Sequence, residues 1–269
     1  MLQSIFVYDA PDAIGLDIAA VAHHLAELLP DTQIETRTDF FTWHLGQFSL
    51  EQVEVLTQEI AARLQEREVH NLVAPERRAE LEPVTPEERD LGPVYLAAPL
   101  QEVMRAVIPA AERGPARLHL AYITQCIGHW PTGESSLRLQ IIEQGEPTII
   151  STTGFVEAPA LPREYAFRRA HLLGFGMEEA AEELDALFAA EALRHGDARI
   201  NQVAVGFALQ AVFWHLLGEE GCDVPTCPLH AAATHDELAR AHMSEQSGLC
   251  DRHMRMLMRV RERPRESAG

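Results

Sequence analysis

The chain has 269 residues, 46% of them hydrophobic, and sets 22 basic against 41 acidic side chains for a formal net charge of -19 at pH 7. That length and apolar content suffice to bury a sizeable core as one large or two small domains, while the negative field argues against nucleic acid and anionic membrane as partners, since both would be repelled. The opening MLQSIFVYDAPDA lacks the basic and long apolar regions of a secretory signal, and no window approaches about 18 uninterrupted apolar residues, so a cytoplasmic protein is expected.

Residues Ser4 to Tyr8 form a short apolar run, and from Asp12 to Leu29 the apolar residues Ile14, Ile18, Val21, Ala22, Leu25 and Leu28 recur at helical spacing, so the chain opens as strand then helix. Gln33 to Arg37 alternates as a second strand would. Ser49 with Gln52 makes a capping box ahead of Val53, Leu56, Ile60 and Leu64, which places a helix over about 50 to 66. The charged, proline-punctuated stretch Pro75 to Pro93 reads as a linker. It divides the chain into an N-terminal α/β region, 1–82, and a second region, 94–269, unless the two are one continuous domain.

Leu100 to Ile108 is helical in pattern. Leu118 to Thr124, Leu137 to Glu143 and Thr148 to Thr152 are three runs of β-formers separated by Gly and Pro turns, expected to lie in one sheet. Glu178 to Leu193 reads as an acidic amphipathic helix and Ile200 to Leu217 as a more hydrophobic one. The fold class is α/β, with α+β as the alternative: a sheet backed by helices, the last of them leading into a cysteine-bearing loop.

That loop carries the chemistry. The run from Ala211 reads AVFWHLLGEEGCDVPTCPLH and is followed by LCDRH, so Cys222 and Cys227 form one close pair and Cys250 and His253 another. Three thiolates and an imidazole are the tetrahedral donor set that zinc takes in closed structural sites. In a reducing compartment, cysteines so spaced point to metal rather than to disulfides. Cys126 with His129 has a similar spacing, but a buried thiol beside a strand end is the commoner arrangement.

The same run resembles the zinc region of archaemetzincins, whose pattern is His-Glu-x-x-His-x-x-Gly-x-x-His-Cys-x4-Cys-x-Met with a later Cys-x-x-Cys. His215 takes the place of the second histidine, Gly218 the glycine, Cys222 and Cys227 the first cysteine pair, and Cys250 and His253 the last pair. Ala211 stands where the first catalytic histidine belongs, Val212 at the general-base glutamate, Gly221 at the third histidine and Leu229 at the methionine. The likeness covers roughly the last 60 residues as a motif. The segments ISTTGFVEAPALPREY and GEEGCDVPTC also resemble a prokaryotic family named for metallopeptidases. The resemblance implies a zincin-like fold with its structural zinc kept and its catalytic zinc lost.

Neither Ala211 nor Val212 can bind a metal or accept a proton, so a peptidase that activates water in the zincin manner is not expected. His215 lies on the apolar face of its helix, where a lone histidine is ordinarily hydrogen-bonded to a neighbour. One enzyme alternative remains: a metal site rebuilt from His215, Glu219, Glu220, His230, His235 and Asp236, with His235 and His242 spaced for one helical face. Ser151, Thr152 and Thr153 lack a paired base, and a chain without lysine has no P-loop. Arg252, Arg255, Arg259, Arg261, Arg263 and Arg265 form a basic helix end and tail on an acidic body. The expectation is a structural-zinc protein that acts as a binding or scaffold protein toward a protein or peptide ligand.

Overall fold

The computed structural model describes residues 2–46, 48–64, 94–132, 137–219 and 221–262; the expected linker and its boundary lie outside them. The elements in chain order are β1 (Ser4–Tyr8), α1 (Ile18–Leu28), β2 (Gln33–Arg37), α2 (Phe40–Leu45), α3 (Leu50–Leu64), β3 (Val94–Leu96), α4 (Ala97–Val107), a short 3-10 turn (Ala110–Glu112), β4 (Arg117–Ile123), β5 (Cys126–His129), β6 (Arg138–Gln140), β7 (Ile142–Glu143) and β8 (Thr148–Ser151). Then come α5 (Gly154–Glu157), α6 (Arg163–Gly174), α7 (Glu178–Glu191), α8 (Ile200–Leu217), α9 (His235–His242) and α10 (Asp251–Glu262). The chain is a mixed α/β protein that divides into two compact units.

One unit takes Leu2–Ala13 and Ile34–Ala158. Its main sheet has the order β2-β1-β4-β8-β7, in which β1, β4 and β8 run parallel and β7 is an antiparallel edge. Nearly every residue of β1, β4 and β8 is buried, the continuous apolar run that a covered parallel strand requires. A second sheet joins β3, β5 and β6. The three runs expected in one sheet therefore separate: β4, β7 and β8 share the large sheet while β6 pairs with β5. The split falls at Ile141, whose carbonyl receives the Ser151 N–H at 2.8 Å between the two short strands. The core under α4 gathers Phe6, Tyr8, Phe40, Leu100, Met104, Ile123 and Ile149.

The other unit takes Ile14–Gln33 and the chain from Pro159 onward. Helix α1 begins at Ile18, later than the apolar spacing suggests, because the Asp17 carboxylate accepts the N–H groups of Ala19 and Ala20 at 3.0 and 3.1 Å and so fixes the first turn there. Its partner is α8, whose residues Val203, Ala204, Phe207, Ala208, Ala211 and Val212 are buried. By length and hydropathy α8 is apolar enough to cross a membrane, yet 56% of it is buried inside the protein, the condition of a core helix. Helix α9 packs on α8 so closely that a Cβ on Gly206 would lie 2.0 Å from His242 Nδ1; only glycine fits beneath that ring. Helices α6 and α7 form a hairpin joined internally by the Arg169–Asp185 ion pair and the stacking of Tyr165 on Phe188.

Candidate metal centre

Helix α8 ends at Gly218, whose left-handed backbone (φ 65°, ψ 24°) is the conformation that glycine adopts without strain. The chain then enters the loop that carries Cys222 and Cys227. Gln210 on α8 holds this loop through an N–H donated to the Pro228 carbonyl at 2.7 Å, and the loop closes on itself where Cys222 pairs with His230. Cys250 immediately precedes α10, with its carbonyl accepting the Met254 N–H at 2.8 Å, and His253 follows within the first turn. The loop and the helix start bring the four residues together.

Cys222 Sγ is 3.7 Å from Cys250 Sγ, Cys227 Sγ is 3.6 Å from His253 Nδ1, and Cys250 Sγ is 3.2 Å from the same nitrogen. All four donor atoms lie within 4.8 Å of one another, and His253 and Cys227 are fully buried. A tetrahedral zinc with Zn–S near 2.3 Å and Zn–N near 2.05 Å spaces its ligand atoms at about 3.5 to 3.8 Å. The donor set is the one that ion takes, and the Cys222–Cys250 and Cys227–His253 spacings match it, while Cys250 and His253 stand somewhat closer than a bound ion would hold them.

The surroundings act on the thiols differently. Burial pushes the Cys222 thiol up to about 12, so an ion that binds here must displace its proton. Cys250 is also desolvated, but the His253 N–H, the Cys222 side chain, the Arg252 N–H and the Cys227 side chain together outweigh that and hold its thiol below the ordinary value. The Val224 N–H points at Cys222 Sγ from 3.4 Å. His253 stands edge-on to Phe213, and its Nε2 is 3.7 Å from Glu219 Oε1. Glu219 in turn accepts two hydrogen bonds from Arg252, at 2.8 and 2.9 Å.

The positions that the archaemetzincin pattern assigns to catalysis have no such equipment. Ala211 is 0% and Val212 1% exposed on α8, among apolar neighbours. His215 is half-buried in the last turn of that helix. Of the residues weighed for a rebuilt site, His230 donates its Nδ1 hydrogen to the Cys222 carbonyl at 2.8 Å. Asp236 accepts from the Thr234 hydroxyl at 2.6 Å and faces Arg240 at 3.5 Å, while His235 stands edge-on to Phe188. Glu220 lies outside the described residues. His242 is stacked on Phe207 and buried, so it shares no open face with His235. Among the described residues, the donor clusters that form include none of these side chains.

A second cluster escaped the sequence because its members stand far apart in the chain: His44 on α2, Glu112 in the 3-10 turn and His119 on β4. Its proton positions follow from its hydrogen bonds. The Glu112 carbonyl can only accept, so His119 donates to it from Nε2 at 2.8 Å and presents a bare Nδ1. The Tyr8 hydroxyl therefore donates to that Nδ1 at 2.8 Å, and its oxygen accepts from His44 Nε2 at 2.9 Å and from Arg37 at 3.0 Å. Arg37 also grips both carboxylate oxygens of Glu112, at 2.7 and 3.0 Å, and Glu35 at 2.7 Å. Burial lowers both histidines, His44 to about 4. With its carboxylate committed to a guanidinium and His119 satisfied at both nitrogens, the cluster joins α2, the turn and β4 as a neutral-imidazole network rather than as a metal cage.

The remaining candidates separate. Cys126 is buried and its thiol is pushed up to about 11 by desolvation, whereas His129 is exposed and donates to Gln140 Oε1 at 2.7 Å. Ser151, Thr152 and Thr153 donate their hydroxyls to the carbonyls of Gln125, Ile123 and Thr124.

Residues 1–260 match the sequence profile described as the Probable metallopeptidase family (DUF6775). Among solved structures the chain is similar to archaemetzincin from Methanopyrus kandleri, with 12% identity, 97% of each chain covered and a TM-score of 0.42. No curated protein matches it.

Proposed function

We propose that this chain, which belongs to the probable metallopeptidase family (DUF6775), keeps a structural zinc at Cys222, Cys227, Cys250 and His253 and serves as a cytoplasmic binding or scaffold protein without peptidase activity. The observation that carries the reading is the burial of Ala211 and Val212 in the packed face of α8. A zincin needs an imidazole and a carboxylate at those two positions to hold an ion and take a proton from its water. Here the positions contribute methyl groups to the core.

The zinc would be a folding element. It ties the loop after α8 to the start of α10, with the Cys250 thiol held below its ordinary value and Glu219 on the far side of the His253 ring. When bound it supplies cross-linking alone, because four protein donors leave no open position for water.

The test is hydrolysis of a mixed peptide library by zinc-loaded protein. No cleavage above background is expected. Chelator-sensitive cleavage that survives repurification and disappears in His215→Ala would overturn the reading in favour of a rebuilt active site.

A further inference from the structure

The α6–α7 hairpin leaves unusual apolar surface in water. Phe167 is 72% exposed and Phe175 70%, and His171 lies between their rings, with centroids 6.2 and 4.7 Å away. Met177, 52% exposed, follows Phe175 at the tip. Large aromatics are seldom left so bare on a monomer unless something covers them. Directly after this tip, the first two turns of α7 expose Glu178, Glu179, Glu182 and Glu183, and none of the four has an ion-pair partner among the described residues.

Helix α10 carries the opposite surface. His253 and Leu257 point inward, while Met254 and Met258 are exposed one turn apart. Arg255 and Arg259 follow each methionine by one residue and are exposed, and neither has an ion-pair partner among the described residues. An aromatic and methionine tip flanked by carboxylates thus has its chemical complement, a methionine stripe flanked by guanidiniums, within the same sequence.

We propose that α10 of a second copy of this chain docks on the α6–α7 tip, with Met254 and Met258 against Phe175 and Met177, and Arg255 and Arg259 against Glu178, Glu179 and Glu182. Charge complementarity selects this occupant. The acidic tip is repelled by anionic membranes and by nucleic acid, and the helix carries a run of arginines on a chain of net charge -19, opposite in sign to the tip. Each copy offers both surfaces, so a symmetric pair makes the contact twice.

The experiment is sedimentation of three full-length proteins: the wild type, Arg255→Glu/Arg259→Glu, and Glu178→Arg/Glu179→Arg/Glu182→Arg. Circular dichroism and zinc content establish that each variant is folded. The wild type should self-associate and weaken as salt is raised, because contacts at a rim are screened. Each variant alone places like charges in the contact and should associate about tenfold or more weakly. Mixed in equal amounts, the two variants restore opposite charges at both contacts and should associate as the wild type does. A wild type that stays monomeric at high concentration and low salt, or folded variants that fail to pair with each other, would overturn the proposal. So would a monomer whose α10 instead binds anionic vesicles and loses them in Arg255→Glu/Arg259→Glu.

Discussion

Glu219 stands behind His253: its Oε1 lies 3.7 Å from Nε2, while the opposite ring nitrogen, Nδ1, lies 3.2 Å from Cys250 Sγ. One nitrogen is thus turned to the sulfurs and the other to a carboxylate, and Arg252 holds that carboxylate with two hydrogen bonds. The carboxylate lies on the side of the ring away from the sulfurs, where a small shift would let it take the Nε2 hydrogen and leave Nδ1 for a metal. Removing it with Glu219→Ala should lower zinc affinity by about tenfold to a hundredfold, the usual effect of losing such a partner. A chelator competition titration measures this directly, and an affinity equal to that of the wild type would show that Glu219 does not support the ring.

Cys227 is fully buried and on the loop side of the centre. Cys227→Ser should release the ion and uncouple the loop from α10. A loss of about 3 kcal/mol, within the range for breaking a structural link, corresponds to a fall of roughly 6–12 °C in thermal midpoint for a chain of this size class. Calorimetry beside zinc analysis checks both; unchanged zinc in this variant would remove Cys227 from the ligand set.

Gly206 and His242 form a tight packing pair distinct from the centre. Gly206→Ala places a Cβ 2.0 Å from Nδ1, which forces the ring or α9 to move and should cost about 1–3 kcal/mol. Combining it with His242→Ala removes the obstacle. The two changes should therefore be strongly non-additive in a double-mutant cycle, whereas additive losses would mean that the ring moves aside freely.

Stability should also fall with acid in a defined window. His44 is lowered by burial to about 4 from its usual 6.5, and His242 likewise to about 4. Between those values the unfolded chain binds the protons and the folded chain does not, so stability is complete above pH 6.5 and declines toward pH 4. Each group contributes a slope of up to about 1.4 kcal/mol per pH unit. Denaturant titrations across that range should show the slope reduced in His44→Gln; a variant with the wild-type slope would show that His44 titrates normally.

Much of the fold was readable because it is local. The strands Ser4–Tyr8 and Gln33–Arg37 and the helix Ile200–Leu217 have the bounds that their sequence patterns mark, and the Ser49–Gln52 box appears as a pair of hydrogen bonds at 2.9 and 3.3 Å. What escaped depends on pairing at a distance. Val94–Leu96 is a three-residue strand recognisable only beside Cys126–His129. The helix Arg163–Gly174 buries little but Tyr165 and Arg169, so its sequence carries a weak apolar stripe. The grouping of Cys222, Cys227, Cys250 and His253 was legible because each pair is close in sequence, whereas His44, Glu112 and His119 meet only through the tertiary fold.

The most direct measurement is metal content joined to X-ray absorption on protein purified without added metal. One zinc per chain is expected in a shell of three sulfurs and one nitrogen, absent from Cys227→Ser and unchanged in His215→Ala. A second ion in a nitrogen and oxygen shell that depends on His215, or a chain that folds with no zinc at all, would contradict it.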